Sequence, residues 1–456
     1  MTPKIKNMTE GNPLSLIVSF ALPLMVGNVF QQLYTVVDTM VVGKALGVDA
    51  LAALGATDWL YWMVLGVVQG ITQGFAILMA REFGAQRYAN LRRVTGISVS
   101  LAAICAVVFL GASQLGAVTA LRLLQTPAEI MDQALLYLRI MFLGIPIIMA
   151  YNLLACTLRS LGDGRTPLSA MILASLSNIA LDLLFVLGFR WGIAGAAAAT
   201  LIAQVFSCLF CFLRLRKIEF MALERENFRV ETKTALRLMS LGLPMALQNI
   251  MIAIGGMIIQ SVVNGFGVAF LAGFTATNKL YGVLEIAATS YGYAMITYVG
   301  QNLGAGKFER IRSGMRSAVA VAVATSAMIA GTMLLLGRGI VGLFISGSPE
   351  EVAVATKVAY DYLVVMSVCL PVLYVLHVTR SAVQGMGDTV LPMVSGIAEF
   401  IMRTGGILIL PALLHESGIY ISEVLAWAGA DLILIPSYFI TFSRISKNTH
   451  REEIRL

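Results

Sequence analysis

Three polar side chains lie in apolar segments of the chain, where a lipid bilayer would make them costly. Asn178 and Asp182 stand four residues apart in MILASLSNIALDLLFVL, so they share one face of a helix. Asp38 lies in an earlier apolar segment, VFQQLYTVVDTMVVG. An ionised carboxylate at mid-membrane costs about 2.5–3.5 kcal/mol on insertion scales. We therefore expect Asp38 and Asp182 to meet inside a helical bundle and to bind a cation.

The pattern fits either a proton or a sodium ion. Two neighbouring carboxylates do not both ionise cheaply, so such a pair is suited to holding a proton. The same oxygens beside the amide of Asn178 would also suit sodium. Tyr34, four residues before Asp38, shares its helix face.

Composition places the chain in a membrane. It has 456 residues, of which 58% are hydrophobic and 12% charged, and its mean hydropathy is +0.83. Soluble domains average about 25% charged residues. The apolar segments run to about 20 residues or more, which indicates helices and not barrel strands. The net charge of +7 resides mainly in short loops, so we expect no nucleic-acid partner.

Twelve apolar segments separated by short loops predict an all-α membrane protein with twelve transmembrane helices. One alternating set of loops holds 24 Lys and Arg side chains, with Arg380 assigned to it, and the other set holds five. Basic loops stay in the cytoplasm, so we expect both termini inside. The predicted spans are 14–40, 52–80, 93–117, 134–157, 166–189, 192–213, 235–263, 270–299, 315–336, 359–382, 391–413 and 419–442.

The two halves of the chain repeat each other. LGVDALAALGAT (46–57) matches FGVAFLAGFTAT (266–277), and LGDGRTP (161–167) matches MGDTVLP (386–392). Each half has an even number of spans, so both have the same orientation. This predicts two six-helix lobes related by a pseudo-twofold axis along the membrane normal. The predicted domains are an N-lobe at 1–217, a cytoplasmic linker at 218–234 and a C-lobe at 235–456.

Further polar residues lie within or beside the spans. Glu399 and Arg403, four residues apart, are expected to pair with each other, whereas Glu285 stands among Leu and Ala. Asp163 and Asp388 follow glycines at the start of predicted helices, which suits helix N-caps. The candidates for lining a cavity are Gln31, Tyr34, Asn152, Gln204, Gln260 and Glu285.

Segments along the whole chain resemble the multidrug and toxic compound extrusion (MATE) transporters, of the DinF-like bacterial type. They are VVDTMVVGKALG, RSLGDGRTP, SNIALDLLF followed by GIAGAAAATLIAQ, and TYVGQNLGAGKFERI. The resemblance implies a V-shaped pair of six-helix lobes. It also implies export of organic cations or drugs in exchange for protons or sodium.

The resemblance further implies roles for individual residues. Pro23 matches a proline at which bending of the first helix has been proposed, whereas the residues alone fit either a static kink or a hinge. The positions that match the family's ion-binding cluster, for a proton or a sodium ion, are Asp38, Asn178, Asp182 and Thr200. The positions that match polar residues of its cavity are Tyr34, Tyr137 and Asn152.

The second half departs from the sodium-coupled bacterial branch of the family. That branch has an acidic residue in helix seven, where this chain offers Gln248 and Asn249. It also has an aspartate in helix ten, and here Asp361 lies only at the outer end of that span. The coupling ion therefore stays open between proton and sodium.

We expect a secondary antiporter that needs no cofactor and no ATPase subunit. A P-loop is missing, because Gly306 and Lys307 are followed by Phe308 and not by Ser or Thr. The expected partners are a cationic or amphipathic small molecule and membrane lipid. The expected state is a monomer in the cell membrane of a bacterium.

Three alternatives are weaker. A flippase for lipids or lipid-linked precursors is the nearest, but it would need a basic cavity for phosphate, and the groups at membrane depth are mostly acidic or neutral. A membrane-embedded enzyme would need a second aspartate at metal-binding spacing, which the Gly-Asp loops lack. A channel suits the two-half repeat less well than a carrier with alternating access.

Overall fold

A computed structural model of the chain describes residues 5–345 and 348–453. In this part the chain forms fourteen α-helices and no β-strand, which confirms the predicted all-α membrane architecture. The helices are α1 (Pro13–Leu46), α2 (Val48–Gly84), α3 (Tyr88–Leu123), α4 (Ala128–Leu143), α5 (Ile145–Ser160), α6 (Arg165–Asp182), α7 (Gly192–Leu215), α8 (Thr232–Val263), α9 (Val268–Leu284), α10 (Ile286–Gly304), α11 (Phe308–Gly342), α12 (Pro349–Gly385), α13 (Val390–Leu414) and α14 (Glu416–Glu453).

Ten of the helical segments are long and apolar enough to cross a membrane, and a bent pair provides an eleventh span. The pair is α4 and α5, which are bent by 46° around Gly144. Pro146 follows this glycine and has no N–H to continue the helical hydrogen bonds, which explains the break. The remaining predicted span, 270–299, is covered by α9 and α10, which meet at Glu285.

The internal repeat is visible in the turns that begin matching helices. Gly47, before α2, has a φ of 88°, and Gly267, before α9, has a φ of 92°. Side chains with a Cβ avoid this region, so both positions favour glycine. The halves then diverge, because α2 runs unbroken for 37 residues whereas α9 ends after 17.

The helices form two compact units. The first comprises Leu22–Ala246 and the residues before Thr9, and the second comprises Thr9–Ala21 and the residues from Leu247 onward. Two long helices, α1 and α8, therefore begin in one unit and end in the other. The domain boundaries drawn from the repeat, at 1–217, 218–234 and 235–456, stay a prediction.

In the first unit, the start of α8 packs directly on α2. A Cβ on Gly74 would overlap the Cα of Gly242, and one on Gly70 would lie 2.5 Å from the backbone nitrogen of Ala246. Small residues four apart let two membrane helices approach to backbone contact, where van der Waals packing is strongest. This contact explains why the first part of α8 belongs to the first unit.

In the second unit, basic side chains hold the segment before α1. Lys307 donates from Nζ to the carbonyl of Thr9 at 3.0 Å, and Arg310 donates from Nη1 to the carbonyl of Gly11 at 2.9 Å. Both lie in the turn that joins α10 to α11 or just after it. Their charges therefore fix a neighbouring backbone and do not surround a phosphate.

The segment between α7 and α8 is ordered against α3. Ser100 donates from Oγ to the carbonyl of Phe228 at 3.0 Å, and Arg93 forms an ion pair with Glu231 at 3.2 Å. A Cβ on Gly96 would overlap the carbonyl oxygen of Asn227. The segment predicted as a linker is thus packed on the first unit.

The two Gly-Asp turns cap helices as predicted. Asp163 accepts hydrogen bonds at Oδ1 from the backbone N–H groups of Arg165 and Thr166, at 3.0 and 2.9 Å. Asp388 accepts at Oδ1 from the N–H of Leu391 at 3.2 Å. Both carboxylates serve helix ends, so neither is a candidate metal ligand.

The contact between α2 and α8 predicts a position-specific effect of alanine. Gly74→Ala should destabilise the protein by about 1–3 kcal/mol, because its methyl group would overlap the backbone of α8. Gly111→Ala in α3 is the matched control, because a Cβ there meets no atom within 4 Å. Thermal unfolding in detergent should show a lower midpoint for Gly74→Ala only. Equal midpoints for the two variants would contradict the contact.

Candidate functional site

Helices α1 and α6 run alongside each other in the first unit and bring two carboxylates together. A Cβ on Gly27 would meet Sδ of Met171 at 3.0 Å, and farther along both helices Ser175 Oγ lies 3.4 Å from the carbonyl oxygen of Phe30. Both sequences advance in the same direction from these contacts. They end with the carboxyl groups of Asp38 and Asp182 beside each other.

Helix α7 adds the fourth predicted residue. Asn178 donates from Nδ2 to Oγ1 of Thr200 at 3.3 Å. The two aspartates, Asn178 and Thr200 are all buried, with exposed fractions between 0% for Asp182 and 9% for Thr200. The structure thus brings together the four residues that were predicted as the ion-binding cluster.

The cluster has more acceptor atoms than donors. Asp38 Oδ1, Asn178 Oδ1 and both carboxylate oxygens of Asp182 are buried and receive no hydrogen bond within the described residues. A buried polar atom without a partner costs about 1–3 kcal/mol. Within the same part of the chain no Lys, Arg or His forms an ion pair with Asp38 or Asp182. These unpartnered oxygen atoms could therefore bind a proton or coordinate a small cation.

The backbone changes its winding directly after the cluster. Helix α6 ends at Asp182, and residues Leu183–Gly188 form a π-helical turn. There the N–H of Phe189 bonds the carbonyl of Leu184, five residues back, at 2.8 Å. Such turns are rare and frequently occur at functional sites. No pattern in the sequence predicted this one.

Two of the predicted cavity residues lie near the carboxyl pair. Tyr34 and Tyr137 are within electrostatic range of Asp38, and Gln31 contacts Tyr34. Asp58 of α2, which was not among the predicted site residues, is exposed and also interacts electrostatically with Asp38. The signal that could have found it was a carboxylate inside the predicted span 52–80.

Three other predicted cavity residues show no contact with the carboxyl pair. Asn152 donates from Nδ2 to the carbonyl of Ile148 in its own helix at 2.9 Å. Gln204 is half-buried, with Oε1 receiving no hydrogen bond from the described residues. In the second unit, Gln260 donates from Nε2 to Oδ1 of Asn264 at 3.0 Å. None of these three shows a contact with the carboxyl pair.

Glu285 has a partner that the sequence did not predict. Its Oε1 lies 3.1 Å from Nε2 of His377, on α12. The two residues are 92 positions apart, so no helical spacing connects them. Their contact depends on how α12 packs beside the junction of α9 and α10.

The second unit contains a buried network of balanced charge. The predicted pair is confirmed, because Arg403 Nη2 lies 3.1 Å from Glu399 Oε1. Arg380 also bonds Glu399, at 2.7 Å, and Arg403 reaches Glu423 of α14 at 3.0 Å. The assignment of Arg380 to a cytoplasmic loop was wrong, because it lies buried inside α12, where Glu399 neutralises it.

A family model described as MatE matches the chain twice, over residues 23–184 and 244–405. The chain belongs to the MATE family. The two matches begin at Pro23 and Pro244, so they follow the internal repeat. A MATE protein is a membrane transporter and not an enzyme.

Several known proteins resemble the chain over most of its length. One is a "Probable multidrug resistance protein YpnP" of Bacillus subtilis, 29% identical over 91% of this chain and 92% of the relative. Another is "Multidrug export protein MepA" of Staphylococcus saprophyticus, 21% identical over 90% of this chain and 88% of the relative. A crystal structure of MATE in complex with MaL6 superposes with a TM-score of 0.90 at 23% identity, covering 98% of this chain and 100% of that one. This last likeness establishes the fold.

The buried charge network of this MATE chain predicts that replacing a buried glutamate by glutamine destabilises the protein more than the same replacement in an exposed ion pair. Glu399→Gln should cost about 3–5 kcal/mol, because it leaves two buried arginines with one carboxylate fewer. Glu231→Gln is the matched control, since its pair with Arg93 is largely exposed and contributes at most about 1 kcal/mol. Thermal unfolding in detergent measures both. A Glu399→Gln midpoint equal to wild type would contradict the structural role of the network.

Proposed function

We propose that the chain is a secondary antiporter that exports organic cations or drugs in exchange for protons or sodium. The observation that carries this proposal is the buried contact of Asp38 with Asp182, which has no basic partner among the described residues. The names of the curated relatives, a multidrug resistance protein and a multidrug export protein, agree with it. The family membership supplies the transport class, and the carboxyl pair supplies the means of coupling.

The coupling follows from competition for one negative charge. When the site is open to the outside, Asp38 and Asp182 take up the coupling ion, and the charge that holds a cationic substrate is neutralised. The substrate then leaves outward. When the site opens inward, the ion is released as a new cation binds. One buried site that accepts either ion or substrate exchanges the two without ATP.

The two candidate ions would use different atoms. A shared proton satisfies the contact between the carboxyl groups of Asp38 and Asp182 and requires nothing of Asn178. A sodium ion needs several oxygen ligands, and the unpartnered Oδ1 of Asn178 would supply a neutral one beside the carboxylates. Asn178 is therefore the residue whose substitution separates the two ions.

Pro23 is proposed as a hinge in the same cycle. It lies inside α1, where its ring removes one helical hydrogen bond. Helix α1 changes from one compact unit to the other between Ala21 and Leu22, directly before this proline. The missing hydrogen bond at Pro23 would let the part of α1 that follows it, which includes Asp38, change its angle during transport.

The remaining expectations belong to the same proposal. We propose that the transporter works as a monomer in the cell membrane of a bacterium, with both termini in the cytoplasm, as the distribution of basic loops predicts. Its substrate is a cationic or amphipathic small molecule that reaches the site from the cytoplasm or the lipid. A lipid flippase is the alternative that failure of drug transport would favour.

The proposal predicts ion-driven accumulation of a fluorescent lipophilic cation in inverted membrane vesicles. Each gradient is applied alone, and we expect either the proton gradient or the sodium gradient to drive transport. Both Asp38→Asn and Asp182→Asn should abolish it. Asp132→Asn, at an exposed position of α4, is the control and should transport like wild type. Full activity of Asp38→Asn would overturn the mechanism. No transport by folded wild-type protein would favour the flippase.

A second prediction identifies the ion. If sodium drives transport by the wild type, Asn178→Ala should abolish it, because the ion loses an oxygen ligand. If protons drive it, the same variant should keep most of its activity, because the carboxyl pair remains. Asn90→Ala, at an exposed position of α3, is the control. Sodium-driven transport that survives in Asn178→Ala would contradict the sodium site.

A further inference from the structure

Matching segments of the internal repeat carry opposite charges. ATDWLY (56–61) and ATNKLY (276–281) are identical at four of six positions, at an offset of 220. Asp58 and Trp59 of the first half correspond to Asn278 and Lys279 of the second. One half thus has an acid beside an aromatic ring at the place where the other has an amide beside an ammonium group.

Lys279 lies well inside α9. It is eleven residues beyond the first residue of the helix, which is about 16 Å at 1.5 Å per residue. The matching segment of the first half contains Asp58, which interacts electrostatically with Asp38. A charged side chain at such depth faces water or a ligand more readily than lipid, because lipid exposure would cost about 2.5–3.5 kcal/mol.

The ammonium group of Lys279 is available to a ligand. Its side chain is exposed and makes no hydrogen bond or ion pair with any described residue. The next acid along the chain, Glu285, is already paired with His377 at 3.1 Å. The charge of Lys279 is therefore not neutralised within the part of the second unit that the structure describes.

Two further donors accompany this lysine. Thr275 precedes it by four residues on the same exposed face of α9, and its hydroxyl has no partner among the described residues. Asn278 accepts at Oδ1 from the hydroxyl of Tyr362 at 3.3 Å, which orients the amide and leaves its NH₂ group to donate. In the first half Gly55 and Asp58 occupy these two positions, so the set of donors is specific to the second half.

We propose that Lys279, Thr275 and Asn278 bind an anionic oxygen group, a carboxylate or a phosphate, of the transported molecule. An ammonium, a hydroxyl and an amide NH₂ on neighbouring positions match the several acceptor oxygens of such a group. The substrate class then extends from simple organic cations to amphipathic zwitterions. This inference rests on the proposed function, since it assigns a second recognition element to the same transporter.

A matched pair of dyes tests the proposal. The methyl ester of a rhodamine is a lipophilic cation, whereas the corresponding free acid is a zwitterion with the same ring system. Fluorescence anisotropy gives the Kd of each dye for the purified full-length protein in maltoside micelles without added phospholipid. The variants are Lys279→Gln, Lys279→Arg as the charge-keeping substitution, and Lys357→Gln as a control at another exposed lysine of the second unit.

We expect Lys279→Gln to weaken binding of the free acid about tenfold and to leave the ester unchanged, because only the acid loses a charge-assisted hydrogen bond. Lys279→Arg should retain acid binding, and Lys357→Gln should behave like wild type. Unchanged ester binding shows at the same time that Lys279→Gln is folded. Equal effects on acid and ester, or no effect on either, would overturn the proposal.

Binding of lipid and transport of the ester complete the test. If phosphatidylglycerol binding depends on Lys279 while acid binding does not, the occupant is a lipid headgroup and the proposal fails. If the ester is neither bound nor transported in vesicles, the proposed drug efflux fails, whereas dependence of acid binding on Lys279 would still support the anion site.

Discussion

The free energy needed to keep a carboxylate away from water is the constraint on which the first unit depends. Asp38 and Asp182 are buried without a basic partner in the described chain, and only the close parallel course of α1 and α6 brings them together. Small residues make that course possible, since Gly27 leaves space for Met171. The proposed coupling rests on this cost, because a proton or a cation would offset the charge of the buried pair.

The two units handle buried charge in different ways. In the second unit, ion pairs join Arg380 and Arg403 to Glu399 and Glu423, so these four side chains together carry no net charge. Removing one member would leave a buried charge, which is why such a network fixes packing more than it binds ions. In the first unit the acids are unmatched. The same repeated framework thus carries ion pairs between buried side chains in one unit and a carboxyl pair without a basic partner among the described residues in the other.

Much of the architecture could be predicted from sequence, because the bilayer restricts what each segment can do. Apolar length gave most of the spans, and spacing by four residues placed Asn178 beside Asp182 and Glu399 beside Arg403. Partners distant in sequence were missed, including His377 for Glu285 and Arg380 for Glu399, because their contacts arise from packing between helices. The π-helical turn after Asp182 was also missed, since backbone winding there has no compositional pattern. Lys279 could have been found, as it stands in a predicted span at the position where the first half has Trp59.

The way α1 and α8 are divided between the compact units bears on the origin of the chain. The start of α8 packs with α2, and the segment leading into α1 is held by Lys307 and Arg310. The first helix of each repeat therefore begins among helices of the other repeat. A half-length ancestor with this connectivity would have been a homodimer whose two copies exchanged the beginnings of their first helices. Duplication and fusion of its gene would have preserved that exchange within one polypeptide, so that neither half retained a complete set of contacts of its own.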